Sequence, residues 1–253
     1  MSKDNGQNRK GGCIGLPFTG SIPVVRIIDS KGMNPQGNML GGKPKPKVKP
    51  DIPYLLEVHG DLDAGPRTRE NVYRQIISAG KDPSTREETI AALRDAVKHG
   101  NDTAALALGS IGAVEAIDDL REVVRSRDSY RLSQRRKAAT ALGHLGGAAA
   151  PAIQDLIDSF SDFSVANSGA EALAMMGKVA VPALVKELKK GDHKLIAAQT
   201  LGKMGARARS ALPELEKKAG IIWRIWDKRV HEAAREAVEE IQKDIILNPE
   251  RGL

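Results

Sequence analysis

The sequence predicts an all-α solenoid of about five helical pairs and a closing helix, preceded by an extended N-terminal arm. Three observations predict it. A phrase of the form A-L-G-x-[I/L/M]-G recurs at residues 107–112, 141–146, 172–177 and 200–205, with its leucines 34, 31 and 28 residues apart. A second apolar phrase follows each leucine at an offset of 9, 11, 11 and 11 residues, at Ile117, Ile153, Leu184 and Leu212. The first 65 residues lack helical periodicity and are rich in Pro, Gly and Lys. Self-similarity at such a period means stacked units, none of which buries its apolar stripe alone.

The elements follow in chain order. Residues 1–65 form the arm, with prolines at 17, 23, 35, 44, 46, 50 and 53. Lys and Pro alternate from Lys43 to Pro50, which predicts an extended, polyproline-like basic spacer. Two apolar islands interrupt the arm, at 13–18 and 22–28. The second has strand composition and is followed by a turn signal at 29–32. With no sheet to join, it is expected to stay disordered, fold back on the solenoid, or add to a partner's sheet edge. Val24, Val25, Ile27 and Ile28, with Lys43, Lys45, Lys47 and Lys49, are therefore candidate partner contacts.

The solenoid is expected over 66–244. Residues 68–79 and 88–99 form its first pair, with Ile90, Leu93 and Val97 at helical spacing. In the later units the last Gly of the first phrase suits a left-handed helix cap. Pro151 and Pro182 suit the first turn of the second helix, and Pro213 marks a slightly later start. The many alanines let paired helices approach closely. Trp223 and Trp226 lie in an insertion at 221–227, either as a plug sealing the stack or as an aromatic anchor for a partner. Residues 230–238, with Glu239 and Glu240, read as a closing helix whose acidic face meets water, and 245–253 as a short tail.

With these phrases in view, the chain resembles the short HEAT-like repeats of phycobilisome-lyase-type proteins and many bacterial scaffold proteins. In that family A-L-G-x-[I/L]-G ends the first helix and P-A-[I/L]-x-x-L opens the second. The resemblance covers residues 66–244 and implies a fold more than a function, because the repeat residues are core and turn residues. A lyase-like or glycosylase-like activity enters only by analogy of fold, which does not establish function.

Composition narrows the function classes. Aromatics are only 3%, against a base-stacking platform. One cysteine, Cys13, excludes a disulfide framework within the chain and points to a reducing, cytoplasmic setting. No run of about 18 apolar residues is apparent, and the polar N-terminus lacks the apolar core of a secretory leader. The net charge is +7: +3 from residues 1–65 and +4 from the rest. Two stretches, 121–137 and 186–209, each hold seven Lys or Arg against two acids. They nominate Arg131, Arg135, Arg136 and Lys137 as a surface for an acidic protein or for nucleic acid.

Motifs with catalytic meaning are weak. Residues 16–20 spell the sortase-type LPxTG signal but lie at the wrong end of the chain. His231-Glu232 is a single His-Glu pair, whereas a di-iron site needs several. Gly109 to Gly112 is a repeat turn and not a phosphate cradle. No catalytic, cofactor or metal residues are assigned. The expectation is a non-enzymatic, protein-binding scaffold or accessory subunit that uses the arm and a face lined by the second helices. The alternative is nucleic-acid or ribonucleoprotein binding through the two basic stretches.

Overall fold

The computed structural model describes residues 49–61, 65–128 and 131–252. They belong to the second of two backbone units, Val48–Leu253. Cys13, the island at 22–28 with Val24, Val25, Ile27 and Ile28, and Lys43, Lys45 and Lys47 lie outside the described residues.

Among the described residues the regular structure is helical throughout. α1 (Ile52–Gly60) precedes five pairs: α2 (Pro66–Lys81) with α3 (Arg86–Lys98), α4 (Asp102–Ile111) with α5 (Ile117–Arg125), α6 (Leu132–Leu145) with α7 (Ile153–Asp158), α8 (Phe163–Met176) with α9 (Val181–Lys190), and α10 (Lys194–Met204) with α11 (Leu212–Lys218). A short α12 (Ile221–Trp226) leads into the closing helix α13 (Lys228–Leu247). The first helices α2, α4, α6, α8 and α10 stack in one layer, and α13 continues it. The second helices α3, α5, α7, α9 and α11 form the other layer.

Two expectations about the ends need correction. Residues 52–60, assigned to the extended arm, form α1, which packs on α2, α3 and α4 through buried Ile52, Leu55 and Leu56. Asp51 caps it by accepting from the Tyr54 N–H at 3.2 Å. Pro53 sits in its first turn, where a missing N–H breaks no helical bond. At the other end α13 runs to Leu247, so most of the expected tail is helix or the 3-10 turn Pro249–Gly252.

The motif leucines Leu108, Leu142, Leu173 and Leu201 have no exposed surface. Burying each contributes about 1.5–3 kcal/mol. The segment 163–190 is long and apolar enough to cross a membrane, yet it is the α8–α9 hairpin, broken by a 3-10 turn at Gly177–Ala180. Its apolar residues Leu173, Met176, Val181, Leu184 and Leu188 are core of the stack.

The turn offset in the sequence selects the turn geometry. In the unit with offset 9, Gly112 is left-handed, with φ 77° and ψ 39°, and a three-residue 3-10 turn, Val114–Ala116, leads into α5. In the units with offset 11, Gly146, Gly177 and Gly205 combine φ of 59°, 72° and 58° with ψ of −137°, −144° and −140°. That region is close to one that only glycine visits readily, so the expected left-handed cap holds for Gly112 alone. Pro151 lies in the 3-10 turn before α7, while Pro182 and Pro213 both occupy the first turn of their helices.

Candidate binding groove on the first-helix layer

Small residues hold the first-helix layer together. A Cβ on Gly109 of α4 would fall 2.5 Å from the Ala141 Cα of α6. One on Gly143 of α6 would fall 2.8 Å from the Ala172 Cα of α8, and one on Gly202 of α10 would fall 3.1 Å from the Ala237 Cα of α13. In the first two cases the glycine of one A-L-G meets the alanine that opens the next, and in the third the glycine of Thr200-Leu201-Gly202 meets an alanine of the closing helix. The second-helix layer stands wider and is bridged by long ion pairs. Arg94 of α3 meets Asp119 of α5, and Arg121 and Arg125 of α5 both meet Asp155 of α7, at 2.7 and 2.6 Å. Lys189 of α9 meets Glu214 of α11 at 3.6 Å.

One junction departs from this contact on both sides. α8 carries Ala174 where the motif has Gly, and α10 carries Thr200 where it has Ala. The added methyl and the added hydroxyl-bearing side chain fall at the contact that is tightest elsewhere. The α8 and α10 backbones accordingly share the least extensive approach of the junctions from α4 to α13. A groove of about 720 Å³ lies between α8 and α10 on the first-helix layer, lined by Thr200 and not by Ala174, and clefts of about 700 and 590 Å³ lie along the Gly109–Gly143 and Gly202–Ala237 stretches of the same layer. The expected binding face on the second helices is therefore not where the groove lies.

Its floor is mixed: Leu195, Ile196, Gln199 and Thr200 from α10, and Asn167, Ala170 and Glu171 from α8. Phe163, 96% exposed at the start of α8, stands at its edge. Three exposed cations surround it: Arg136 of α6, Lys203 of α10 and Arg229 of α13. None of the three forms an ion pair among the described residues. Arg136 donates from Nε to the Ser164 carbonyl at 2.7 Å, which fixes its guanidinium beside the groove. Glu171 is the one acid in the lining.

The other nominated residues separate into structural and surface roles. Arg135 is buried and donates from Nη1 to Asp162 at 2.5 Å. That hydrogen bond holds the Asp162 carboxyl below its usual range, and Asp162 also caps α8 by accepting from the Ser164 N–H at 3.0 Å. Lys137 pairs with Asp102 at 3.0 Å, and Arg131 with Asp128 at 3.8 Å. Lys49 pairs with Glu88 at 2.7 Å. Within 121–137, then, Arg121, Arg125, Arg131, Arg135 and Lys137 are engaged by carboxylates, and Arg136 alone of the nominated four joins the groove. Trp226 is 83% exposed and does not plug the stack. Of the groove residues, Lys203 belongs to the basic stretch 186–209, while Phe163 and Arg229 carry no signal in the sequence.

Among the described residues no cluster of three or more His, Cys, Asp or Glu could hold a metal ion. A search of curated proteins found no match. Solved structures that resemble the chain include an engineered protein, at 20% identity and TM-score 0.37, covering 76% of this chain and 58% of that one. They also include a designed armadillo repeat protein in complex with the peptide (KR)4, at 16% identity, TM-score 0.35 and coverage of 76% and 100%. A second designed armadillo repeat protein matches at 15% identity and TM-score 0.33, with the same coverage. The family model for the PBS lyase HEAT-like repeat matches residues 102–126 and 134–159, which are the α4–α5 and α6–α7 pairs. These two units are similar to the PBS lyase HEAT-like repeat.

Proposed function

We propose that this chain is a non-enzymatic scaffold or accessory subunit that captures an acidic segment of a protein partner in the α8–α10 groove. One observation carries the reading. Arg136, Lys203 and Arg229, three exposed cations without an ion pair among the described residues, surround the groove between α8 and α10, which holds a single acid, Glu171. Apolar Leu195, Ile196 and Phe163 supply contact area, and the cations select carboxylates over other side chains. The N-terminal arm serves as a second tether, and the single cysteine fits a cytoplasmic, reducing setting. A nucleic-acid role draws less support, because so much of the basic stretch 121–137 is engaged by Asp102, Asp128, Asp155 and Asp162.

The test is a titration of the full chain with a synthetic Glu- and Leu-rich peptide, with a single-stranded oligonucleotide of equal charge as control. The peptide is expected to bind, and Lys203→Glu with Arg229→Glu to weaken it about tenfold or more. Preference for the oligonucleotide, or a peptide affinity indifferent to both substitutions, overturns the reading.

A further inference from the structure

The molecule carries a second exposed feature that the groove does not explain. α12 presents Ile221, Ile222, Ile225 and Trp226 to solvent, with 73, 67, 81 and 83% of their surface exposed. These residues sit at i, i+1, i+4 and i+5, so they share one side of a short helix. Burial in the stack would shield such side chains, as it shields the motif leucines. Here Gly220 ends the preceding turn, and Asp227 starts α13 by accepting from the Val230 N–H at 3.1 Å. The two flank α12 as a separate segment of apolar residues.

The charges around it say what it meets. Exposed Lys217 precedes α12, Arg224 lies on it, and exposed Lys228 and Arg229 follow. Glu216 and Asp227 are the acids of the same stretch, and Asp227 is occupied as a helix cap. Apolar residues with a tryptophan, rimmed by long cationic side chains, have the amphipathic character of a helix lying in a bilayer interface. Trp and Ile enter the acyl boundary while Lys and Arg reach the phosphates and carboxylates of anionic headgroups. A six-residue helix is about 9 Å long, which suits shallow insertion and not spanning.

We propose that α12 is a membrane-surface anchor that binds anionic lipid through Ile221, Ile222, Ile225 and Trp226, with Lys217 and Arg224 pairing to headgroups. Arg229 borders both this surface and the groove, but none of Ile221, Ile222, Ile225, Trp226, Lys217 and Arg224 lines the groove, so the test does not depend on peptide binding.

The experiment is sedimentation of the full chain with phosphatidylcholine vesicles and with vesicles containing about 30% phosphatidylserine, alongside sedimentation velocity without lipid. Partition to the anionic vesicles is expected to exceed that to phosphatidylcholine about tenfold. Ile225→Ser with Trp226→Ser is expected to lower it about tenfold or more. Lys217→Glu with Arg224→Glu should abolish the preference for phosphatidylserine while leaving the phosphatidylcholine level unchanged. All of these positions are exposed, so unchanged helix content and thermal midpoint confirm that the variants fold. Three results overturn the proposal. One is equal or absent binding to both vesicle types. Another is anionic binding that survives Ile225→Ser with Trp226→Ser. The third is a lipid-free dimer that this variant converts to monomer, which would assign the patch to a second copy of the chain.

Discussion

The α4–α6 and α8–α10 junctions are built from the same kind of six-residue phrase and differ at both positions of the Gly-Ala contact. At the first, Gly109 lies against Ala141 and leaves no room for a Cβ. At the second, Ala174 and Thr200 stand at the equivalent places and the two helices approach each other less extensively. In a repeat array stability is close to a sum over units and interfaces, so one junction is free to change while its neighbours keep the stack intact. The proposed binding site lies beside the junction where the first helices approach least extensively.

The largest expected effect breaks the tight junction. Gly109→Val should cost about 3 kcal/mol, because the new side chain must displace the Ala141 backbone of α6. The matching change at the open junction, Ala174→Val, should cost less than about 1 kcal/mol. Urea unfolding of the two variants measures the contrast, and equal losses would deny that the junctions differ.

Next in size is Arg135→Ala, expected to cost on the order of 2 kcal/mol by leaving Asp162 without its charged partner at the start of α8. The same unfolding midpoint reads it. Arg136→Ala, one residue on and exposed, should barely move stability and should weaken peptide binding. The pair separates a structural arginine from a groove arginine.

A subtler change sharpens the comparison by erasing it. Ala174→Gly with Thr200→Ala restores the motif at both faces of the α8–α10 contact. Stability is expected to shift by about 1 kcal/mol or less, since helix propensity lost at Gly offsets closer packing. Affinity for the acidic peptide should fall about tenfold as the groove narrows. A crystal structure of the double variant gives the helix separation directly.

The smallest effect lies at the N-terminal end, far from either junction. His59 of α1 shares a 3.2 Å hydrogen bond with Thr103 of α4 and packs on the Tyr73 ring. Desolvation first, and then the nearby Lys137 and Arg69 charges, hold its pKa below 6.5. A depressed folded-state pKa means that the unfolded chain takes up the proton more readily. The contribution is therefore complete above the unfolded pKa, near 6.5, and is lost as pH falls through the lower folded value. His59→Gln should flatten that part of a thermal midpoint against pH profile.

The stack was legible because its signals are local. Leu108, Leu142, Leu173 and Leu201 repeat at unit spacing, and each phrase ends in a turn glycine between the two helices of its unit. α1 was not legible, because Pro50 and Pro53 in a Lys-Pro context read as extended chain when Pro53 in fact occupies a helix's first turn. The basic stretch 121–137 misled for a different reason. Asp155 and Asp162, which engage Arg121, Arg125 and Arg135, lie 27 to 34 residues further along. A count of charge along the chain cannot see partners supplied by the next unit. The groove is not legible in the sequence because its residues come from α6, α8, α10 and α13, which only the stack brings together.

Asp244 of α13 reaches back across the stack and accepts from the Ala206 N–H at 2.8 Å, at the glycine turn that ends α10. A Cβ on Gly205 would meet the same carboxylate, and the hydrogen bond from Ala206 helps hold that carboxyl below its usual range. α4, α6 and α8 meet through the Gly-Ala contact, so duplication of a unit such as α6–α7 would place Gly143 of one copy against Ala141 of the next, a contact of a kind already present. Duplication after α11 would separate Asp244 from the turn it caps. The array therefore has a growing middle and a fixed last joint, and lineages that lengthen or shorten it should do so upstream of α10.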